Sequence, residues 1–233
     1  MPRKMRTPEE RSIDPAAHQM LIRADELGLS TAFSRADTTP ACNIGAAGMC
    51  CKLCGMGPCR LTKEGDVGVC GATIDTIQAR NLIRAIAAGS AAHSDHGRDM
   101  AFTLKAVAND ETEGYQLRDI AKLRRVAEKY KIPIEGRAPK EIANELADLF
   151  ISQFGQQRGR IVPIANAPEK RVKLWEERGV IPRGIDREVV EALHRTHMGD
   201  DQEPAHILHH AIRTSLADGW GGSMIATDVS DIL

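Results

Sequence analysis

Apolar positions recur at three- and four-residue spacing along most of the chain, and that period predicts helices. Asp14-Pro15 supplies an N-cap and a proline at the first helical position; Met20, Ala24 and Leu27 mark one face until Gly28 stops the helix. From Ala72 to about Ala108 the sequence is continuously helix-compatible, broken only by Gly89 and Gly97. Its Ala85-Ile86-Ala87-Ala88 run is small enough for a neighbouring helix to approach closely. Leu117, Ile120 and Leu123 start another helix, and Gly136 with Pro139 resets the chain. Ile142, Leu146, Leu149, Phe150 and Phe154 then form an apolar stripe that reads as core. Further starts follow at Pro168, Asp186 and Pro204, with Gly199 as a stop signal. The Gly-Gln-Gln-Arg-Gly-Arg stretch at 155–160 reads as a flexible connection. Period-two alternation is nearly absent. The pattern predicts an all-α fold, a helical bundle domain carrying a cysteine-rich loop near its N-terminus. Residues 1–39 form a helix and lead-in, 40–71 the loop, and 72–233 the helical domain.

Composition narrows the function classes. With 31 Lys+Arg against 32 Asp+Glu, the net charge of −1 lacks the basic excess of a nucleic-acid binder. No apolar run approaches the roughly 20 residues of a bilayer span, so no membrane span is expected. The charged N-terminus has no apolar stretch behind it and does not read as a secretory signal. A cytoplasmic, reducing location follows as the expectation, and there six cysteines are not expected to form disulfides.

All six cysteines lie between Cys42 and Cys70, in a segment with six glycines and one proline, rather than scattered as buried hydrophobes. Cys51, Cys54, Cys59 and Cys70 have the pattern C-x2-C-x4-C-x10-C and supply four thiolates, one for each iron of a [4Fe–4S] cube. Structural zinc also takes four thiolates, but its modules more often present two C-x2-C knuckles on a long spacer. Only one such knuckle exists here, and Gly55, Gly57 and Pro58 curl the chain around something larger than one ion. The spacing therefore favours iron–sulfur, with a zinc-stabilised structural module as the alternative. Cys42 and Cys50 remain. Two thiolates do not complete a site, whereas a two-fold axis would present the pair twice and make four. The other reading is an inert buried Cys42 beside a Cys50 that merely neighbours a ligand, and arithmetic alone does not separate the two.

The segments CNIGAAGMCCKLCGMGPCR, GVCGA, ARNLIRAIAAG and AAHSDHGRD, between Pro40 and Arg98, resemble the N-terminal region of the anaerobic nickel–iron–sulfur carbon monoxide dehydrogenases. SIDPAAHQML, GLSTAFSR and DGWGGSMIATDVSDIL fit the same family, so the resemblance covers nearly the whole chain. It implies that Cys51, Cys54, Cys59 and Cys70 hold an intrasubunit [4Fe–4S] cluster. It further implies that Cys42 and Cys50 hold half of a cluster shared across a homodimer. The implied reaction is CO plus water to CO2, two protons and two electrons, with the electrons leaving to a ferredoxin-like acceptor. In that family a His and several Cys far downstream, in α/β domains, hold the catalytic nickel–iron–sulfur cluster, and no cysteine follows Cys70 here. The Asp-Val-Ser-Asp-Ile-Leu ending reads as a chain cut mid-element, so an electron relay is expected rather than a complete catalyst. A hybrid-cluster type of iron–sulfur protein is the neighbouring alternative; the Cys42-x7-Cys50-Cys51 arrangement favours the first reading.

His93 and His96 stand at i, i+3 on one helix face. Such a pair is usually filler, but the resemblance implies a histidine ladder here that passes protons, a task suited to imidazole. The ladder is short, because Asp99 occupies the next rung and Phe102 the one after. His194, His197, His206, His209 and His210 also pair at helical spacing and are expected to be solvated.

Overall fold

The computed structural model describes residues 5–39 and 42–233, and the chain divides into two units, Met1–Cys50 and Cys51–Leu233. It is mostly helical, as the hydrophobic period predicts.

The first unit holds four short helices: α1 (Pro8–Arg11), α2 (Pro15–Glu26), α3 (Ala32–Thr38) and α4 (Asn43–Ala46). Their caps are encoded locally. The hydroxyls of Thr7 and Thr31 cap α1 and α3, and the Asp14 carboxylate accepts from Ala16 N at the start of α2. Gly28, at φ +66°, closes α2 with the Leu29 amide bonded back to the Ala24 carbonyl. The buried side of α2 differs from the expected one. Leu21 is buried with Ala17 and Ala24 beside it, while Met20 and Leu27 are 69% and 54% exposed. α1 packs on α2, and α1 and α3 are tied by a buried ion pair, Arg11 Nη2 to Asp37 Oδ2 at 3.3 Å.

Two-residue strands β1 (Cys50–Cys51) and β2 (Cys59–Arg60) make the small ladder that frames the cysteine loop. The second unit is then organised on α5 (Ile74–Ala108), a 35-residue helix capped by Thr73. Its buried positions step by three and four from Thr76 through Arg80, Ile83, Ala87, Ser90, Ser94, Gly97, Ala101 and Leu104 to Ala108. The middle of that stripe is Ala, Ser and Gly, so other helices come close. α6 (Ile120–Lys129), α7 (Pro139–Gly155), α8 (Glu169–Glu177), α9 (Ile185–Arg195), α10 (Pro204–Ala217) and α11 (Ser223–Ser230) follow. α5 packs against α7, α9, α10 and α11. The core joins Ile142, Leu146, Phe150 and Phe154 of α7 to Leu104, Leu123, Ile185 and Ile225. A second cluster joins Ile83 and Ala87 to Ala192, Ile207 and Ala211.

Several local expectations change. α6 begins at Ile120, behind the Asp119 cap, and Leu117 lies in the lead-in. The 155–160 connection is clamped. Gln156 Nε2 donates to the carbonyls of Arg160 (3.1 Å) and Arg183 (2.6 Å), and a Cβ on Gly184 would lie 1.9 Å from the Gln156 carbonyl oxygen. α11 ends at Ser230, and the Ile232 carbonyl accepts from the amides of Arg118 and Asp119. His210 is buried rather than solvated, because Glu188 of α9 meets it at 3.1 Å and Arg183 completes the pairing. Burial would push the Glu188 carboxyl up, but the bonds from His210 and Arg183 pull it down to about 2.

Between α10 and α11 the chain makes one π turn, Asp218–Gly222, which crosses α5. A Cβ on Gly97 would sit 2.4 Å from the Gly222 carbonyl oxygen, and one on Gly222 would sit 2.7 Å from the His93 carbonyl oxygen. Backbone cannot rotate out of the way as a side chain can. Gly97→Ala therefore loses more by overpacking, about 1–3 kcal/mol, than the roughly 1 kcal/mol that alanine gains in a helix. With its loss at the top of that range, the variant melts about 4–8 °C below the native chain. Gly89→Ala, in the same helix with open space around its Cβ, keeps the helical gain and melts higher. Equal melting temperatures for the two variants would contradict the packing argument.

Candidate metal centre

The loop after Cys51 is shaped by close backbone approaches. A Cβ on Gly57 would lie 3.1 Å from the Cys59 nitrogen, and one on Gly68 would lie 3.4 Å from Cys59 Sγ. At Gly57 a Cβ would force the Cys59 backbone to give, whereas at Gly68 it would rest against the Cys59 sulfur. The Gly57–Pro58 peptide is cis. The turn is closed by Gly68 N to the Ala72 carbonyl (2.8 Å) and by Gly71 N to the Gly68 carbonyl (2.9 Å). Leu61, Ala72 and Ile77 form a small apolar cluster against which Cys51 and Cys70 pack, anchoring the loop to the first turns of α5.

This folding brings Cys51, Cys54, Cys59 and Cys70 to one pocket, walled also by Ala72, Ile77, Arg80 and Met198. The four are half-buried free thiols lining one small pocket that opens to solvent. They border it without closing on one point, and among the described residues no three His, Cys, Asp or Glu side chains stand close enough for a single ion. Donors face the sulfurs. The Val69 amide lies 3.4 Å from Cys59 Sγ, and Arg80 Nη1 lies 3.7 Å from Cys70 Sγ. Burial opposes ionisation of Cys70, but the Ala72 amide, Arg80 and Gln202 outweigh it and lower its pKa. Gln202 Nε2 also donates to the Cys70 carbonyl at 2.9 Å. Four thiols lining one apolar-walled pocket, with N–H donors facing two of their sulfurs, are the donor set a four-thiolate cluster takes.

Cys42, exposed, and Cys50, half-buried, lie in the first unit. His93 and His96 are both exposed on α5. The structure adds a partner that linear spacing does not show: His93 Nδ1 lies 2.6 Å from Asp218 Oδ1, which also accepts from Ser223 Oγ. His194, His197, His206 and His209 are exposed. The first and third of these lie 3.7 and 4.0 Å from Asp200 and Asp201, respectively. Gln202 and Asp218 were missed by spacing because each reaches its partner from more than 120 residues away, and Arg80 because a lone helical arginine carries no motif.

The fold and this pocket define a helical domain that carries a four-cysteine loop at the start of its longest helix. Solved structures with the same fold are carbon monoxide dehydrogenases. The as-isolated, Ni-free enzyme of Thermococcus sp. AM4 superposes with a TM-score of 0.88 at 47% identity, covering 100% of this chain and 38% of that one. An acetyl-CoA synthase/carbon monoxide dehydrogenase, whose alpha subunits carry NiZn[Fe4S4] and NiNi[Fe4S4] clusters, gives 0.86 at 36% identity, covering 100% and 36%. Carbon monoxide dehydrogenase 1 of Methanosarcina mazei is 50% identical over 96% of this chain and 36% of its own length. Carbon monoxide dehydrogenase 1 of Carboxydothermus hydrogenoformans is 40% identical over 95% and 36%. Residues 49–233 match the Prismane/CO dehydrogenase family, and the chain belongs to it. It spans a little over a third of the length of these curated relatives.

Proposed function

We propose that this chain is the electron-relay region of a carbon monoxide dehydrogenase, in which CO and water become CO2, two protons and two electrons. The observation that carries the reading is that Cys51, Cys54, Cys59 and Cys70 line one pocket. A [4Fe–4S] cluster held there would supply one-electron transfer. The chain's own part is to furnish four thiolates, to direct the Val69 amide and Arg80 at two of them, and to shield the sulfurs with Ala72 and Ile77. Cys42 and Cys50 would hold half of a second cluster, completed by the same pair of a two-fold mate. A ferredoxin-like carrier in the cytoplasm would take the electrons. The 50% and 40% identities to carbon monoxide dehydrogenases support this reading over the hybrid-cluster alternative. His93 and His96 would hold and pass protons. Asp218 grips His93 at Nδ1, which leaves Nε2 as the nitrogen free to exchange one.

Metal content tests the reading. Anaerobically prepared protein should contain about four iron and four sulfide per chain at the Cys51 site, with at most half a cluster more from the shared one. About one zinc and no acid-labile sulfide would overturn it.

A further inference from the structure

Arg80 heads the fully buried side chains by volume, at 1% exposure in the second turn of α5. A guanidinium keeps its proton in a protein, so this is a permanent charge inside the fold. Among the described residues it meets no carboxylate. Nη2 donates to the main-chain carbonyl of Asp201, and Nε is shut from solvent without a partner. The Asp201 carboxylate is engaged elsewhere, by Arg195 at 2.6 Å and by the Glu203 amide at 2.9 Å. Buried charges are costly unless an opposite charge faces them. Here the group facing Nη1 is Cys70 Sγ, at 3.7 Å.

We propose that Arg80 is the counter-cation of the four-thiolate centre and raises its reduction potential, an inference that rests on the cluster assignment above. Reduction brings one electron from an external donor, dithionite in the test below, and adds one unit of negative charge to the centre. No proton is taken up from Arg80. A fixed cation beside the centre stabilises the more negative, reduced state more than the oxidised one, and burial keeps salt from screening it. The Asp201 carbonyl pins the guanidinium, while Gln202, the next residue, holds the Cys70 carbonyl. The 201–202 segment thus holds both the guanidinium and the backbone of Cys70. Arg80 is in this sense a positioning residue whose effect reads out as a potential.

The experiment is a dithionite titration of the whole chain, followed by visible absorption and EPR, after iron and sulfide analysis of each protein. Arg80→Gln removes the charge. At the potential where the native chain is half reduced, its reduced-to-oxidised ratio should be about tenfold lower, which is 59 mV for one electron. Arg80→Lys keeps a charge without the fork and should lie between the two. Equal midpoints in native chain and Arg80→Gln, both loaded with four iron, would overturn the proposal. If Arg80→Gln does not fold or load, pulsed EPR on the reduced native chain carrying 15N-arginine decides. A nitrogen coupling to the cluster spin is expected, and its absence overturns the proposal. Native chain with no iron and sulfide fails earlier, at the cluster assignment, and is recognised by the metal analysis alone.

Discussion

Serine in place of Cys54 should strip the chain of most of its visible absorption, with iron and sulfide at that site falling from about four each to near zero. Cys54 sits between Cys51 and Cys59 in the loop and lines the pocket with them. Losing one of four thiolates leaves one iron without its sulfur ligand. Metal binding and folding are linked, so the same change should loosen the 51–72 loop, seen as faster amide exchange at Leu61 and Ala72. The paired control is Cys42→Ser with Cys50→Ser. That protein should keep the Cys51 set and its four iron, lose one cluster per dimer, and dimerise more weakly, because a ligand set completed by two chains favours their association. A Cys54→Ser protein with undiminished iron would refute the assignment of the pocket, and a double variant with unchanged iron and dimer affinity would refute the shared site.

What the linear pattern reveals and what it hides follow from how far each interaction reaches. The α5 and α7 stripes were legible because burial on a helix repeats every three to four residues, whatever the partner. Ile142, Leu146, Phe150 and Phe154 indeed lie in the core. The cysteine loop was legible because its ligand candidates sit within about 20 residues, and Gly57 and Gly68 mark where backbone and sulfur come close. On α2 the period showed a helix but not its buried side, since Met20 and Leu21 are neighbours and a shift of one residue turns the face by about 100°. The π turn was illegible, because Asp218-Gly219-Trp220-Gly221-Gly222 has the composition of an ordinary break. Only the fit of Gly222 against Gly97 and His93 explains its path. The same holds for Asp218 with His93, Glu188 with His210, and Arg80 with Asp201, whose partners lie 125, 22 and 121 residues away. Contacts at that separation leave no local spacing to read.

The polypeptide of residues 1–233 by itself should take electrons from dithionite, bleaching its visible band, yet give no CO-dependent reduction of viologen dye, with or without added nickel. CO oxidation needs a metal with an open position for CO and a neighbouring site that makes hydroxide from water. A centre bound by Cys51, Cys54, Cys59 and Cys70 has a sulfur for every iron and offers neither. Cys42 and Cys50 are the only other cysteines of these 233 residues, and on the proposed reading they would supply half a ligand set per chain. Among the described residues the exposed histidines approach acidic groups in pairs, His93 with Asp218, His194 with Asp200 and His206 with Asp201, short of the three protein ligands of a typical open catalytic site. The two halves of the result separate cleanly. Bleaching tests the relay and the dye tests the catalyst, with a full-length carbon monoxide dehydrogenase assayed alongside as the active reference. Dye reduction by this polypeptide above a metal-free control would show that one of these paired positions completes an open metal site. Failure to bleach in protein carrying four iron would show that its cluster does not exchange electrons within reach of dithionite.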